Sequence, residues 1–281
     1  ASYASTTISG LGNDAVTLSG TEAAALDLNL IAADNSGGTL DASSVTLLTG
    51  TAAAVAASYA STAISGLGNE AVTLSGTTAT ASDLYAIDVS TSANVNASAL
   101  VTVTGNLPEV IAVILSSTIT GLGNQEILLT DSVVTATSLS ALNALTTGTI
   151  NTAAVQLITG STSDLLAIFA APGLTGLGSS ALAINDTSLA ATTLNTLNGL
   201  TTGDINAGSV LTLTGTAAEV SGSYAATGIT GLGNEAVTLS DTSLVAADLN
   251  TLDAYTSGAV DVSLVTLVTG SAAAVAQAYN S

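Results

Sequence analysis

Twenty carboxylates and six tyrosines are the whole ionisable side-chain inventory of this 281-residue chain, which contains no Lys, Arg, His or Cys. Carboxylates alone can do two kinds of chemistry. They coordinate hard cations through oxygen, or they work in pairs as acid and base in glycoside hydrolysis. Everything that needs another group is excluded. Nucleophile–histidine catalysis, Schiff-base chemistry, His or Cys metal sites and the P-loop all lack an essential residue. The formal charge of −20 has no internal cation to balance it. Binding to nucleic acid phosphate, or to anionic membrane through cations, is therefore excluded as well.

The best-placed carboxylates are Asp14, Glu70 and Glu235, each directly after a GLGN turn, with Gln125 and Ser180 in the same slot elsewhere. Oxygen donors on glycine-rich turns suit Ca²⁺, although the GGxGxD pattern of calcium-binding nonapeptide repeats is absent. A divalent cation is the only cofactor this chemistry allows. Asp248 and Asp253 are the best candidates for an acid–base pair, but they recur poorly between repeats and read as a solvated helix face. No catalytic residue is assigned. Sequons at Asn96-Ala97-Ser98 and Asn185-Asp186-Thr187 would allow glycan modification, with Asn96 expected to be buried. Thr17, Thr73 and Thr238 share a slot that an ice-binding hydroxyl array would use, but Leu128 and Ala183 interrupt it.

The elements that must carry these residues come from repetition. GLG stands at 10–12, 66–68, 121–123, 176–178 and 231–233, and a Thr-Gly pair ends at Gly50, Gly105, Gly160, Gly215 and Gly270. Residues 1–281 are thus one array of five 55-residue units, with one residue inserted near Asn35-Ser36-Gly37-Gly38. Each unit halves again. Asn13, Asp41, Asn69, Asn96, Asn124, Asn151, Ser179, Asn206, Asn234 and Asp261 follow one another at steps of 27 or 28 residues. An Asn/Asp series of this kind is expected to form a ladder that satisfies turn backbone groups.

Each half-unit carries a short β-branched stretch such as Val72-Thr73-Leu74, then a Gly or Asp with Ser/Thr (Asp241-Thr242, Gly215-Thr216), then an Ala-rich segment. That order predicts strand, helix cap and helix. Leu189, Leu194 and Leu197, like Leu244, Leu249 and Leu252, fall on one helical face. A second column holds Tyr3, Tyr59, Ile114, Phe169, Tyr224 and Tyr279 and is expected to stack inside the core. The composition agrees with a thin aliphatic core, since 47% of residues are hydrophobic and only 2% aromatic. The predicted fold is an α/β repeat solenoid of about ten strand-turn-helix coils of 27 to 28 residues, each adding one strand to a parallel sheet. A β-helix is the structural alternative.

The stretch Ile229-Thr-Gly-Leu232-Gly-Asn-Glu-Ala-Val237-Thr-Leu239 and the Asn series resemble the leucine-rich-repeat architecture. The resemblance implies parallel strands on one side and helices on the other. It departs from that family in placing Asn before the strand, and it carries over no binding residue. In composition the chain also looks like long Ser/Thr/Ala-rich, Lys/Arg-poor surface proteins of bacteria, of the cyanobacterial type.

Tyr3 and Tyr279 occupy one register, so the last five residues repeat the phase of the first five, and no capping repeat is recognisable. The expected function is structural and non-enzymatic: an extracellular or cell-surface filament, fibre or sheath. It would form by end-to-end homopolymer stacking at Tyr3 and Tyr279, or as part of a longer array. A Ca²⁺-dependent adhesin or surface-layer module is the alternative, and a carboxylate glycosidase ranks third. No membrane insertion is expected, because the aliphatic runs are too short.

Overall fold

The structure is a computed structural model and describes residues 11–280. It is an α/β fold of repeated strand–helix units, with twenty-four short strands and ten α-helices among the described residues. The helices are α1 Ala25–Asp34, α2 Ala52–Ala60, α3 Ala81–Asp88, α4 Leu107–Leu115, α5 Ala136–Leu145, α6 Thr162–Ala170, α7 Ala191–Asn198, α8 Ala217–Ala225, α9 Ala246–Asp253 and α10 Ala272–Ala278. The fold divides into two compact units, one of Ala1–Asp131 with Leu142–Asn151, the other of Ser132–Ala141 with Thr152–Ser281.

Helices form where the sequence caps them. Thr51, Thr80, Asn106, Ser161, Thr216 and Ser271 each stand at an N-cap and accept a hydrogen bond from the backbone N–H three residues on. Thr216 and Glu219 complete a reciprocal capping box on α8. Strands such as Ala71–Leu74 alternate in burial as one wet face requires: Val72 and Leu74 are buried and Thr73 is exposed. In α7, Leu194 and Leu197 point into the core, while Leu189 of the same predicted face lies buried on the strand Ser188–Ala190 just before it.

Among the described residues the strands pair in parallel, but they do not follow the expected rule of one strand per coil. Each coil carries two or three strands, roughly seven residues apart, as at Ile64–Ser65, Ala71–Leu74 and Thr78–Thr80. Pairing also skips the 27/28 step. Val72 pairs with Val95 and Val95 with Ile119, offsets of 23 and 24 residues, whereas helices α2 to α10 start alternately 29 and 26 residues apart. The close spacing of strands within a coil lets a strand pair with one placed slightly earlier in the next coil. Each sheet therefore drifts backwards relative to the helices. In the first unit one sheet begins at Glu22–Ala24, immediately before α1, and ends at Ile119–Thr120, beyond α4. The second unit repeats this drift from Val133–Thr135 to Ile229–Thr230.

The two glycine landmarks are close-packing devices. The first Gly of the GLG turn is left-handed at Gly66, Gly121, Gly176 and Gly231, with φ of 83 to 89°. Its backbone passes the preceding coil so closely that a Cβ on Gly121 would stand 2.7 Å from Ser98 N and Cα. The Gly of the Thr-Gly pair packs on the first residue of an earlier helix: a Cβ at Gly105 would meet the Ala81 methyl at 2.7 Å, and one at Gly160 the Ala136 methyl at 3.0 Å.

The Asn/Asp series is not a buried ladder. Asn13, Asn69, Asn124 and Asn234 are exposed in the GLG turns. Asp41, Asn96, Asn151, Asn206 and Asp261 instead close two-residue strands, and they pair with Thr, Ser, Ala or Leu rather than with one another: Asp41 with Thr17 and Ser65, Asn96 with Thr73 and Thr120, Asn151 with Leu128. Several of this second set cap their own turn. The Oδ1 of Asp41, Asn96, Asn206 and Asp261 accepts the N–H two residues on, at 2.8 to 3.1 Å. Those bonds hold the Asp41 and Asp261 carboxyls below the usual carboxylate range. Thr17 and Thr73 stand in different sheets, so the threonine slot read from the sequence is not one array.

Candidate functional site

In a chain without cations, a buried carboxylate must be held by neutral donors. Glu70 and Glu235 are such groups, each 1% exposed. Both sit where the GLG turn enters a strand. Gly68 N–H and Asn69 N–H donate to Glu70 Oε2 at 2.8 and 3.1 Å, and the Tyr59 hydroxyl donates to Oε1. Glu235 repeats the arrangement with Gly233, Asn234 and the Tyr224 hydroxyl. Burial, followed by the hydrogen bond and charge of the glutamate, pushes both tyrosine hydroxyls well above the usual tyrosine range.

The slot changes its chemistry when the tyrosine is lost. Beside Ile114, the position eleven residues on is Gln125. Its Oε1 takes the same turn N–H groups of Gly123 and Asn124, while its Nε2 donates to the carbonyls of Leu100 and Gly121. Beside Phe169 it is Ser180, whose hydroxyl donates to Val155 O at 2.8 Å. In these four slots a carboxylate occurs where a hydroxyl reaches it, and a neutral side chain where none does. Each column was visible in the sequence alone, and their shared spacing of eleven residues was the signal that joins them.

These contacts also correct two expectations. The tyrosine column is not an interior stack: Tyr59, Ile114, Phe169 and Tyr224 are half-buried, and Tyr279 is 80% exposed. Tyr3 lies outside the described residues. Nor do the cation candidates form an open site. Glu70 and Glu235 face inward onto backbone N–H groups, and Asp14 Oδ2 accepts Gly12 N–H at 3.0 Å. Among the described residues no three carboxylates group to hold a metal ion. Asp248 and Asp253 are exposed on α9, and Asn96, expected to be buried, is exposed in its Asx turn, as is Asn185. No helix among the described residues is long and apolar enough to cross a membrane.

A second polar column escaped sequence reading. Thr91, Thr201 and Thr256 each donate a hydroxyl to the carbonyl of the slot residue 21 positions earlier, at 2.7 Å, which ties one coil to the next. At the one-residue insertion Asn35 takes over, donating to Asp14 O and accepting Asp14 N–H. Asp131, Asp186 and Asp241 reach in the other direction, accepting the first N–H of α4, α6 and α8, 24 residues earlier, at 2.6 to 2.8 Å. Asp241 therefore caps the helix of the preceding coil, and not the helix that follows it in sequence.

The chain matches no family model, no curated protein and no solved structure. The coil nearest the end of the described residues is packed differently from the others. In the internal coils the core positions of this coil type are closed: Val155, Ile158 and Leu165 are at most 3% exposed, and so are Val210, Leu213 and Val220. In the last coil, α10 buries no residue. An apolar cavity of about 220 Å³ lies open there, lined by Leu249, Val262, Val265, Val268, Ala278 and Tyr279. Leu264 and Leu267 are each 55% exposed beside it.

Proposed function

We propose that this chain is a structural, non-enzymatic repeat element that assembles end to end, by stacking coils or within a longer array, into an extracellular filament, fibre or sheath. The observation that carries this reading is the contact between coils, which recurs in one register: Leu48 faces Val72, Val103 faces Ile127, Ile158 faces Leu182 and Leu213 faces Val237. A contact that repeats unchanged can be continued by any further coil of the same type. Burying even a few hundred Å² of apolar surface contributes several kcal/mol at about 25 cal/mol per Å². A composition free of Lys and Arg, and so free of trypsin-type cleavage sites, supports an extracellular setting.

Sedimentation velocity over a concentration series in physiological salt, with negative-stain microscopy of the same samples, tests the proposal. Concentration-dependent, rod-like assemblies are expected. A single monomeric species at every concentration would overturn it.

A further inference from the structure

The helices of the first compact unit present an outer face that no described residue covers. In α1, α2, α3 and α4 the second, sixth and ninth residues, counted from the first helical one, stand on the side away from the core. Eleven of these twelve residues are apolar, Ser82 being the exception. Leu26 and Leu30 on α1, Val89 at the end of α3 and Leu115 on α4 are each more than half exposed, as is Tyr85 one turn before Val89. Helix α2, between α1 and α3, holds only alanine at these places. Each of the four helices packs on the next, so their outer faces adjoin.

The carboxylates of these helices are turned elsewhere. There are five, Asp27, Asp34, Asp83, Asp88 and Glu109, and none holds one of the twelve outer places. Asn29 Nδ2 donates to Ala54 O and marks the side of α1 that faces α2. Asp27 and Asp34 lie about 140 to 160° round the helix from Asn29, while Leu26 and Leu30 lie about 60 to 100° from it. The leucines therefore stand between α2 and the acids. The Asp88 carboxylate accepts the Ser116 and Thr118 hydroxyls. Asp83 and Glu109 are half-buried in the first turns of α3 and α4. In the second unit the same places of α6 to α9 are also free of acids, but they hold only Ala, Gly, Ser and Thr.

We propose that the helix face of the first unit docks against the same face of a second copy of this chain, about a two-fold axis, so that copies associate side by side. The charge distribution selects that occupant. A chain of −20 without cations repels its own copies wherever carboxylates meet. Across this face two copies approach without opposing any, and a basic partner finds no charge here to recognise. A two-fold contact also needs a self-complementary patch. The alanines of α2 form a shallow trough between the larger side chains of α1 and α3, which gives the large residues of one copy a place in the other. Four helices about 13 Å long and about 10 Å apart present on the order of 500 Å² per copy. About 1,000 Å² buried in total is at the lower end for a specific interface, so the pairing is concentration-dependent. It uses helix faces and not coil cross-sections, and so does not rest on the end-to-end reading above.

Two double variants of the full chain test it. Val89→Asp with Leu115→Asp puts two carboxylates on the face at exposed positions. Val101→Asp with Leu211→Asp adds the same charge at two exposed residues outside the helices. Sedimentation velocity over a concentration series in physiological salt measures association, and negative stain reads the width and length of the particles. The unchanged chain should pair side by side. The first variant should need at least about tenfold more protein to do so, because like charges then oppose each other, and the second should stay within about twofold of the unchanged chain. Equal shifts in both variants, or rods that lengthen without ever pairing sideways, would overturn this inference and leave end-to-end assembly standing. Particles that pair sideways but never lengthen would support it and overturn the end-to-end reading. A chain that stays single at every concentration would overturn both. Flotation of the unchanged chain with neutral phosphatidylcholine vesicles, lost in the first variant and without any pairing, would make a lipid surface the occupant and overturn the second copy.

Discussion

The Tyr59 hydroxyl donates its hydrogen bond to the Glu70 carboxylate, eleven residues on, inside a protein that has no positive side chain to offer instead. With two turn N–H groups on its other oxygen, that glutamate sits 1% exposed and fully partnered. Tyr59→Phe leaves one buried charged oxygen without its donor and should cost about 1–3 kcal/mol. Adding Glu70→Gln to Tyr59→Phe should recover much of that loss, because the Ile114–Gln125 pair is the native version of a slot without a hydroxyl. Urea unfolding of the two single variants and the double variant measures the coupling; additive losses would refute it.

High pH should act through the same pairs. The folded-state values of Tyr59 and Tyr224 lie above the ordinary 10.0. Their contribution to stability is therefore complete below about pH 10 and is lost as pH rises through the folded-state values. Tyrosinate absorbance should show these two rings ionising above the usual tyrosine range. In Tyr59→Phe the alkaline loss of stability should be smaller.

Gly121→Ala should destabilise by more than the ~1 kcal/mol that a left-handed residue alone costs, because its new methyl meets Ser98 backbone at 2.7 Å. Gly123→Ala is the control. It also has positive φ, at 118°, but a Cβ there has nothing within 4 Å. Equal shifts of the denaturation midpoint would show that close approach between coils is not what the first glycine provides.

Asp186→Ala removes the acceptor of Thr162 N–H across the coil boundary. It should cost about 1–2 kcal/mol, in the range of a lost helix cap. Asp186→Asn keeps an acceptor oxygen and should cost less. Thermal unfolding at neutral pH separates the two.

The sequence made the repeat, the helices and the parallel α/β class legible, because caps such as Thr216 and the GLG and Thr-Gly landmarks act locally or at fixed spacing. Strand register was not legible. The 55-residue period marks the helices, while pairing follows the path of the chain between coils, and three strands seven residues apart offer alternatives that only packing resolves. Partners set by that register were hidden with it: Asp241 for Ala217, and Thr256 for Glu235. The asparagines looked like a ladder because they recur at half the repeat, although two different turns use the same residue type.

Charge should tune assembly without a specific ion. At −20 per chain the copies repel, and salt shortens the reach of that repulsion to about 8 Å at physiological ionic strength. Raising NaCl should lower the concentration at which rods appear, and CaCl₂ at matched ionic strength should do little more. EDTA should leave preformed rods intact; their dissolution would favour the calcium-dependent surface module instead.

The most direct measurement is cryo-electron microscopy of the assembled 281-residue chain. The expected result is a filament in which coils continue across every junction, with strands perpendicular to the fibre axis, stacked about 4.8 Å apart. Particles that stay single, with the open coil facing solvent, or filaments joined through any other surface, would contradict it.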